Sequence, residues 1–130
     1  MQEVCDFLKN CGNYYLATVD GDQPRVRPFG SVNVYEGRLY FQTGNGKDVA
    51  GQIKDNPKIE ICAYDGDRWI RVRAAAVEDD RFAAKKHMLD AHPGLRERFS
   101  ADEGNTSVFY LKDAVATICS FAGEPKVIRF

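Results

Sequence analysis

The residue types in this chain that could do chemistry cluster in two nearby runs. The first is Gln23-Pro-Arg-Val-Arg-Pro-Phe-Gly30. On an extended segment, Arg25, Arg27 and Phe29 share one face, with Val26, Pro28 and Gly30 on the other. Two guanidinium groups and an aromatic ring on one side offer anion contacts beside an apolar surface. The second run is Arg38-Leu-Tyr-Phe-Gln-Thr-Gly-Asn-Gly-Lys-Asp-Val-Ala-Gly-Gln-Ile-Lys-Asp-Asn-Pro57. It reads as a strand, a glycine-rich turn with Lys47, and a short helix stopped by Asn56-Pro57. Thr43 puts a hydroxyl at the strand end, and Gln52 puts an amide one to two turns into the helix. Backbone N–H groups opening a helix beside a cation suit a phosphate. A lysine in a first helical turn also opposes the helix dipole, a penalty that a bound anion reverses. Together the runs predict a pocket for a flat, phosphorylated ligand, with flavin mononucleotide (FMN) the favoured one. Each run also has a plain structural reading: an edge strand whose arginines blunt aggregation, and a solvated lysine after a flexible turn.

A second set of residues alternates along a later strand: Trp69, Arg71 and Arg73. Such a face could stack on and anchor a planar ligand, or form an interface or barrel exterior, where Trp and Arg are equally at home. His87 and His92 fall in and at the end of a helical segment and read as ordinary helix residues. Cys5, Cys11, Cys62 and Cys119 form no C-x-x-C pair and no zinc-ligand spacing with histidine, so no metal site is expected. They read as reduced thiols packed as small hydrophobes. No arrangement of side chains identifies a catalytic residue.

These residues need a scaffold, and 130 residues with 44% apolar and 28% charged side chains make one ordinary globular domain. The net charge of −1 gives no overall basic footprint for nucleic acid or a membrane surface. Glu3, Asp6 and Lys9 are foreign to a signal peptide, and no apolar run is long enough to span a bilayer, so a cytoplasmic location is expected.

Val4, Phe7, Leu8 and Cys11 are spaced for a helix that Gly12 ends. Strands are predicted over 13–20, 24–29, 31–35 and 38–43, with turns at Asp20-Gly-Asp22 and Glu36-Gly37. A helix over 47–55 follows, then strands over 58–64 and 68–78. Asp79-Asp80 reads as the start of a helix running to Ala91, with Phe82, Lys85, Met88 and Leu89 on one face. Pro93 to Phe99 adds a further helical turn and 100–106 a loop. Three short strands close the chain: 107–111, 115–121 and 126–130. About eight strands in hairpin-like succession predict a mostly β, antiparallel barrel. A dinucleotide-binding βαβ fold is excluded, because Val49 stands where G-x-G-x-x-G needs its third glycine.

The runs 23–30 and 38–57, followed by Ile59-Glu-Ile-Cys-Ala-Tyr-Asp-Gly-Asp-Arg-Trp-Ile-Arg-Val-Arg-Ala-Ala-Ala76, resemble the FMN-binding split barrels of the pyridoxamine 5′-phosphate oxidase superfamily. The small members grouped with nitroimidazole-resistance proteins are the most similar in style. The most specific element is the order of parts: strand with Arg, hairpin, strand ending in Thr, Lys-bearing turn, helix ending Asn-Pro. The resemblance is close over roughly residues 1 to 80 and looser beyond. It implies a six-stranded antiparallel split barrel that dimerises with FMN at the interface. It implies that Arg25, Val26, Arg27, Pro28 and Phe29 line the flavin ring and that Gln42 and Thr43 reach its edge or ribityl chain. Lys47, with Arg25, would hold the phosphate, Gln52 matches a glutamine of the family's helix, and Trp69 would approach the flavin across the interface. Lys126 to Phe130 does not reproduce the C-terminal Arg and His motif of true pyridoxamine phosphate oxidases, so vitamin B6 oxidation is not implied.

The resemblance therefore points to an FMN-dependent oxidoreductase, moving electrons from a reduced nicotinamide to a small acceptor such as a nitro compound or quinone. Two other classes fit the residues: a protein that stores or senses flavin without turnover, and a barrel that stacks nucleic-acid bases on its Arg-Trp face. The acidic balance counts against the last.

Overall fold

The fold follows the alternation of its strands. In the computed structural model, which describes residues 1–102 and 104–130, eight strands form one antiparallel sheet in the order β2-β1-β5-β6-β7-β4-β3, with β8 paired to β7. The strands are β1 (Tyr14–Asp20), β2 (Gln23–Phe29), β3 (Asn33–Tyr35), β4 (Arg38–Gly44), β5 (Lys58–Tyr64), β6 (Arg68–Glu78), β7 (Thr106–Ser120) and β8 (Lys126–Arg129). Three α-helices accompany them: α1 (Gln2–Cys11), α2 (Asp48–Asp55) and α3 (Phe82–Ala91), and a 3₁₀ turn spans Pro93–Glu97.

Strand β5 shows how the sheet sorts its faces. Ile59, Ile61 and Ala63 are buried, while Lys58, Glu60, Cys62 and Tyr64 point the other way and are exposed. The inward set joins Tyr14, Leu16, Phe41, Ile70, Val72, Phe109 and Ile118 in one core. Helix α1 adds Val4, Phe7 and Leu8 to it, and α2 adds Val49, Ala50 and Ile53. Gly12 ends α1 at φ 78°, a conformation that suits glycine.

Three expectations need correction. The resemblance implied six strands, and the sheet has eight. The segments 107–111 and 115–121 are not separate strands but halves of the long β7. Register with β6 shifts between Arg73 and Ala75, and opposite that shift Asp113 adopts φ 53°. An aspartate tolerates this left-handed conformation, so a local bulge replaces a chain reversal. Ala114 just beyond it exchanges two backbone hydrogen bonds with Phe130, of 2.7 and 3.0 Å. Third, Asp79 does not start α3, which begins at Phe82 after an extended Arg81. Asp79 is buried, accepting hydrogen bonds from the Tyr40 hydroxyl at 2.7 Å and from the Arg81 side chain at 2.8 and 3.0 Å. Ala84, Met88 and Leu89 form the buried face of α3, and Phe82 is exposed.

Candidate active site

A cavity of about 1160 Å³ opens between the edge strand β2, the end of β4, the start of α2 and the 3₁₀ turn. Of the residues predicted to bind a ligand, Arg25, Val26, Arg27, Pro28, Phe29, Gln42, Thr43, Lys47 and Gln52 all line it. Strand β2 pairs only with β1, in the register Leu16 to Arg27 and Thr18 to Arg25. Its other edge and part of its inward face are left for the cavity.

Alternation places Phe29 and Arg27 on the side of Tyr14, Leu16 and Thr18. The Phe29 ring packs on Tyr14 at 6.0 Å and edge-on to Phe41 at 5.6 Å, forming an apolar floor. Arg27 is held by a polar knot. Its guanidinium donates to the Thr18 hydroxyl at 2.8 Å, to the Leu16 carbonyl at 3.2 Å and to Gln52 Oε1 at 2.7 Å. Thr18 in turn donates to the same Gln52 oxygen at 2.6 Å. Burial pulls the Arg27 pKa below its ordinary value; Arg25 adds to this and Asp48 opposes it. An arginine starts high enough that it stays charged regardless. Arg25 is turned toward Asp20, with Nε 3.1 Å from the carboxylate.

Thr43 and Gln42 end a strand whose backbone is secured from both sides. Gln42 N–H donates to the Ser31 hydroxyl at 3.0 Å, and that hydroxyl donates back to the Gln42 carbonyl at 3.2 Å. This exchange also keeps Ser31 out of β3, which begins only at Asn33. The Gln42 amide donates to Thr106 at 2.7 Å, which fixes its plane against the sheet. Thr43 is a buried polar residue that lines the cavity. Lys47 is the N-cap of α2, with its side chain exposed and Asp48 following.

The structure adds a wall that sequence reasoning missed. Ala91, His92, Pro93, Gly94, Leu95, Arg98 and Phe99 also line the cavity. His92 Nε2 lies 3.2 Å from the Val32 amide nitrogen and 3.1 Å from the Val32 carbonyl oxygen. Desolvation lowers its pKa below the ordinary histidine value. His87, by contrast, stacks on Tyr35 at 4.2 Å and bonds Asn33 at 2.8 Å, outside the cavity lining. The helix-end reading of His92 holds for its position in the chain, but its ring also contributes to the site.

Trp69 is the predicted site residue that the fold keeps apart. It lies on the face of β6 opposite the buried Ile70, between Tyr64 and Cys119, with its ring 5.1 Å from that of Phe121. That outward face also carries Tyr15, Cys62, Tyr64, Arg71 and Val127. Cys62 is exposed there, against the expectation of four packed thiols, while Cys5 is buried and all four are unbridged. Among the described residues no cluster of His, Cys, Asp or Glu is placed to hold a metal ion, and no helix is long and apolar enough to cross a membrane.

Arrangement and sequence agree on the class of protein: a mostly β split barrel with a cavity at its edge lined by four cations and two carboxylates. Residues 1–116 match the pyridoxamine 5′-phosphate oxidase family, and the chain belongs to that family. A NimC/NimA family protein from Clostridium acetobutylicum is 44% identical, with a TM-score of 0.97 over 100% of this chain and 92% of that one. General stress protein 26 from Bacillus anthracis shares the fold at 16% identity and a TM-score of 0.78, over 99% and 98% of the two chains. A pyridoxamine 5′-phosphate oxidase-related, FMN-binding protein from Nostoc punctiforme does so at 15% identity and 0.62, over 99% and 95%. No curated protein matches the chain.

Proposed function

We propose that this chain is a cytoplasmic FMN-binding oxidoreductase, working as a homodimer, that passes electrons from a reduced nicotinamide to a small acceptor such as a nitro compound or quinone. The observation that carries this reading is the gathering of nine predicted contact residues around one cavity. Family membership supports it, as does the FMN bound by a protein of the same fold.

The residues present fit the cofactor. Phe29 and Val26 supply apolar surface for a ring system, and Thr43 brings a hydroxyl group to the cavity lining. Lys47 and the exposed α2 N-terminus suit the phosphate. Bound flavin supplies the electron chemistry, so no protein nucleophile or acid is required. What the chain contributes is position. The Thr18-Arg27-Gln52 knot locks a cation in the cavity lining, and Ser31 holds the Gln42 backbone. His92, Pro93, Gly94, Leu95, Arg98 and Phe99 complete the lining of the cavity. The outward face with Trp69 is where a second copy would sit, and only across such an interface could Trp69 meet the ligand.

The first test is the absorbance spectrum of the purified protein before and after FMN addition and dialysis. Retained flavin bands, with FMN preferred over riboflavin, are expected; a colourless protein that ignores FMN removes the reading. Lys47→Ala is expected to weaken FMN binding roughly tenfold or more, the scale of one charge-assisted hydrogen bond, without loss of fold. Multiple turnovers of NADH or NADPH with candidate acceptors separate an enzyme from a flavin store, which would show none.

A further inference from the structure

Four cations line the cavity, and they are not equivalent. Arg25 faces Asp20 at 3.1 Å, and Arg27 is spent on Leu16, Thr18 and Gln52. Among the described residues, no carboxylate lies within salt-bridge distance of the other two, Lys47 and Arg98.

Distant in the chain, Lys47 and Arg98 both line the cavity, and the packing around Gly44 sets Lys47 beside Phe99, the neighbour of Arg98. The Phe99 ring lies so close that a Cβ on Gly44 would meet it at 3.0 Å, and the same Cβ would meet Lys47 Cγ at 3.4 Å. Arg98 immediately precedes Phe99, and both line the cavity. The loop that carries them is fastened to the turn that carries Lys47. The Asn45 N–H donates to the Asn105 carbonyl at 3.2 Å, and the Asn45 side-chain amide donates to the Gly104 carbonyl. Asn105 then ties the loop to itself, donating to the Arg98 carbonyl at 3.0 Å and accepting from Ser100 N–H at 2.9 Å. Directional bonds thus fasten the loop to the turn at Gly104 and Asn105, and the loop to itself at Arg98 and Ser100.

We propose that Lys47 and Arg98 form a two-cation clamp for the phosphate monoester of the bound cofactor, with Arg98 delivered across the cavity by this loop. The inference rests on the reading of the cavity as an FMN site. A phosphate monoester carries close to two negative charges at neutral pH, so one lysine leaves it half compensated. A guanidinium fork can engage two of its oxygens while the ammonium engages the third. Asp20 and Asp48 are the carboxylates in the cavity lining, and they oppose a ligand that brings negative charge without a matching second cation.

The test compares FMN and riboflavin affinity by flavin fluorescence titration in the wild type, Arg98→Ala, Arg98→Lys and Arg96→Ala. Arg96 pairs with Asp90 outside the cavity and controls for charge on the same segment. Arg98→Ala is expected to cut FMN affinity about tenfold while leaving riboflavin affinity unchanged. Arg98→Lys should recover part of the loss, and Arg96→Ala should match the wild type. An unchanged FMN-to-riboflavin ratio in Arg98→Ala overturns the clamp, whether both affinities hold or both fall together. The cofactor reading survives that result, because the wild type still binds FMN. A wild type that binds neither flavin brings down the cofactor reading and the clamp with it.

Discussion

Arg25 and Arg27 on β2 have a near twin in Arg71 and Arg73 on β6. Each pair alternates along a strand with an aromatic residue two places away, Phe29 in one and Trp69 in the other. Spacing makes each pair share a face, and it says nothing about what that face meets. β2 is an edge strand bonded only to β1, so its inward side borders open volume. β6 is bonded along its length to β5 and β7, and its inward side is filled by Ile70 and Val72. Arg71 and Arg73 are therefore forced outward, beside Cys62 and Glu60 on the neighbouring strand. The same short pattern becomes a cavity wall at the edge of the sheet and an external face at its centre.

Removing Arg27 is the strongest way to break this contrast. It takes three hydrogen bonds from Leu16, Thr18 and Gln52 at once. Arg27→Ala is expected to lower the unfolding free energy by about 2 kcal/mol and to weaken FMN binding as well. Urea unfolding and flavin titration on the same preparation check both effects. A variant that unfolds like the wild type would place Arg27 among the solvated edge arginines.

Arg81 sharpens the comparison, since it is held by carboxylates instead of lining a cavity. It bridges Glu36 at 2.7 Å and Asp79 at 2.8 Å. Hydrogen bonds from Arg81, and then from Tyr40, outweigh burial and hold the Asp79 pKa down at about 2. A depressed carboxylate stabilises the fold where the unfolded chain would also be ionised, above about pH 5, and that gain is lost as pH falls toward 2. The contribution is at most about 2 kcal/mol. Asp79→Asn should remove this part of the acid dependence, seen as a flatter stability curve below pH 5. An unaltered acid limb would mean that the Asp79–Arg81 pair is not what acid breaks.

The cavity side of the molecule was legible because its parts are local. Residues 25–29 and 42–52 each lie on one short run, and alternation plus helix spacing fixes their faces. The opposite wall was not, because His92, Leu95, Arg98 and Phe99 reach the site through the docking of α3 on β3 and β4, a long-range packing event without a motif. Polar burial was hidden for a similar reason. Asp79 resembles a helix cap in sequence, and only the approach of Tyr40 and Arg81 makes it a core acceptor. The strands at the end of the chain were misdivided because Asp113 resembles a turn residue, while the pairing of β6 with β7 continues past it.

The outward face provides the next test. Half-buried Trp69 and exposed Tyr64 and Phe121 form an aromatic group on the sheet's far side, with Phe121 87% accessible. Contiguous apolar surface of this kind marks an interaction site more often than bare solvent contact. Trp69→Ala is expected to shift the protein from dimer toward monomer in light scattering at micromolar concentration. A dimer of unchanged strength would mean that a second copy sits elsewhere and that Trp69 has no route to the ligand.

Arg73→Ala should have the smallest effect and gives the sharpest control on the two arginine pairs. Arg73 is exposed, faces away from the cavity, and stands opposite Glu60 and Val115 in the ladder. No salt bridge to Arg73 occurs among the described residues, so its removal leaves no buried charge unpaired. The FMN-to-riboflavin affinity ratio is expected to stay within about twofold of the wild type, the scatter of an ordinary surface substitution. A larger fall would mean that Arg73 reaches a cofactor phosphate across a subunit boundary. The two strands would then serve one site from opposite sides, and the contrast between edge and centre would become a division of labour between two chains.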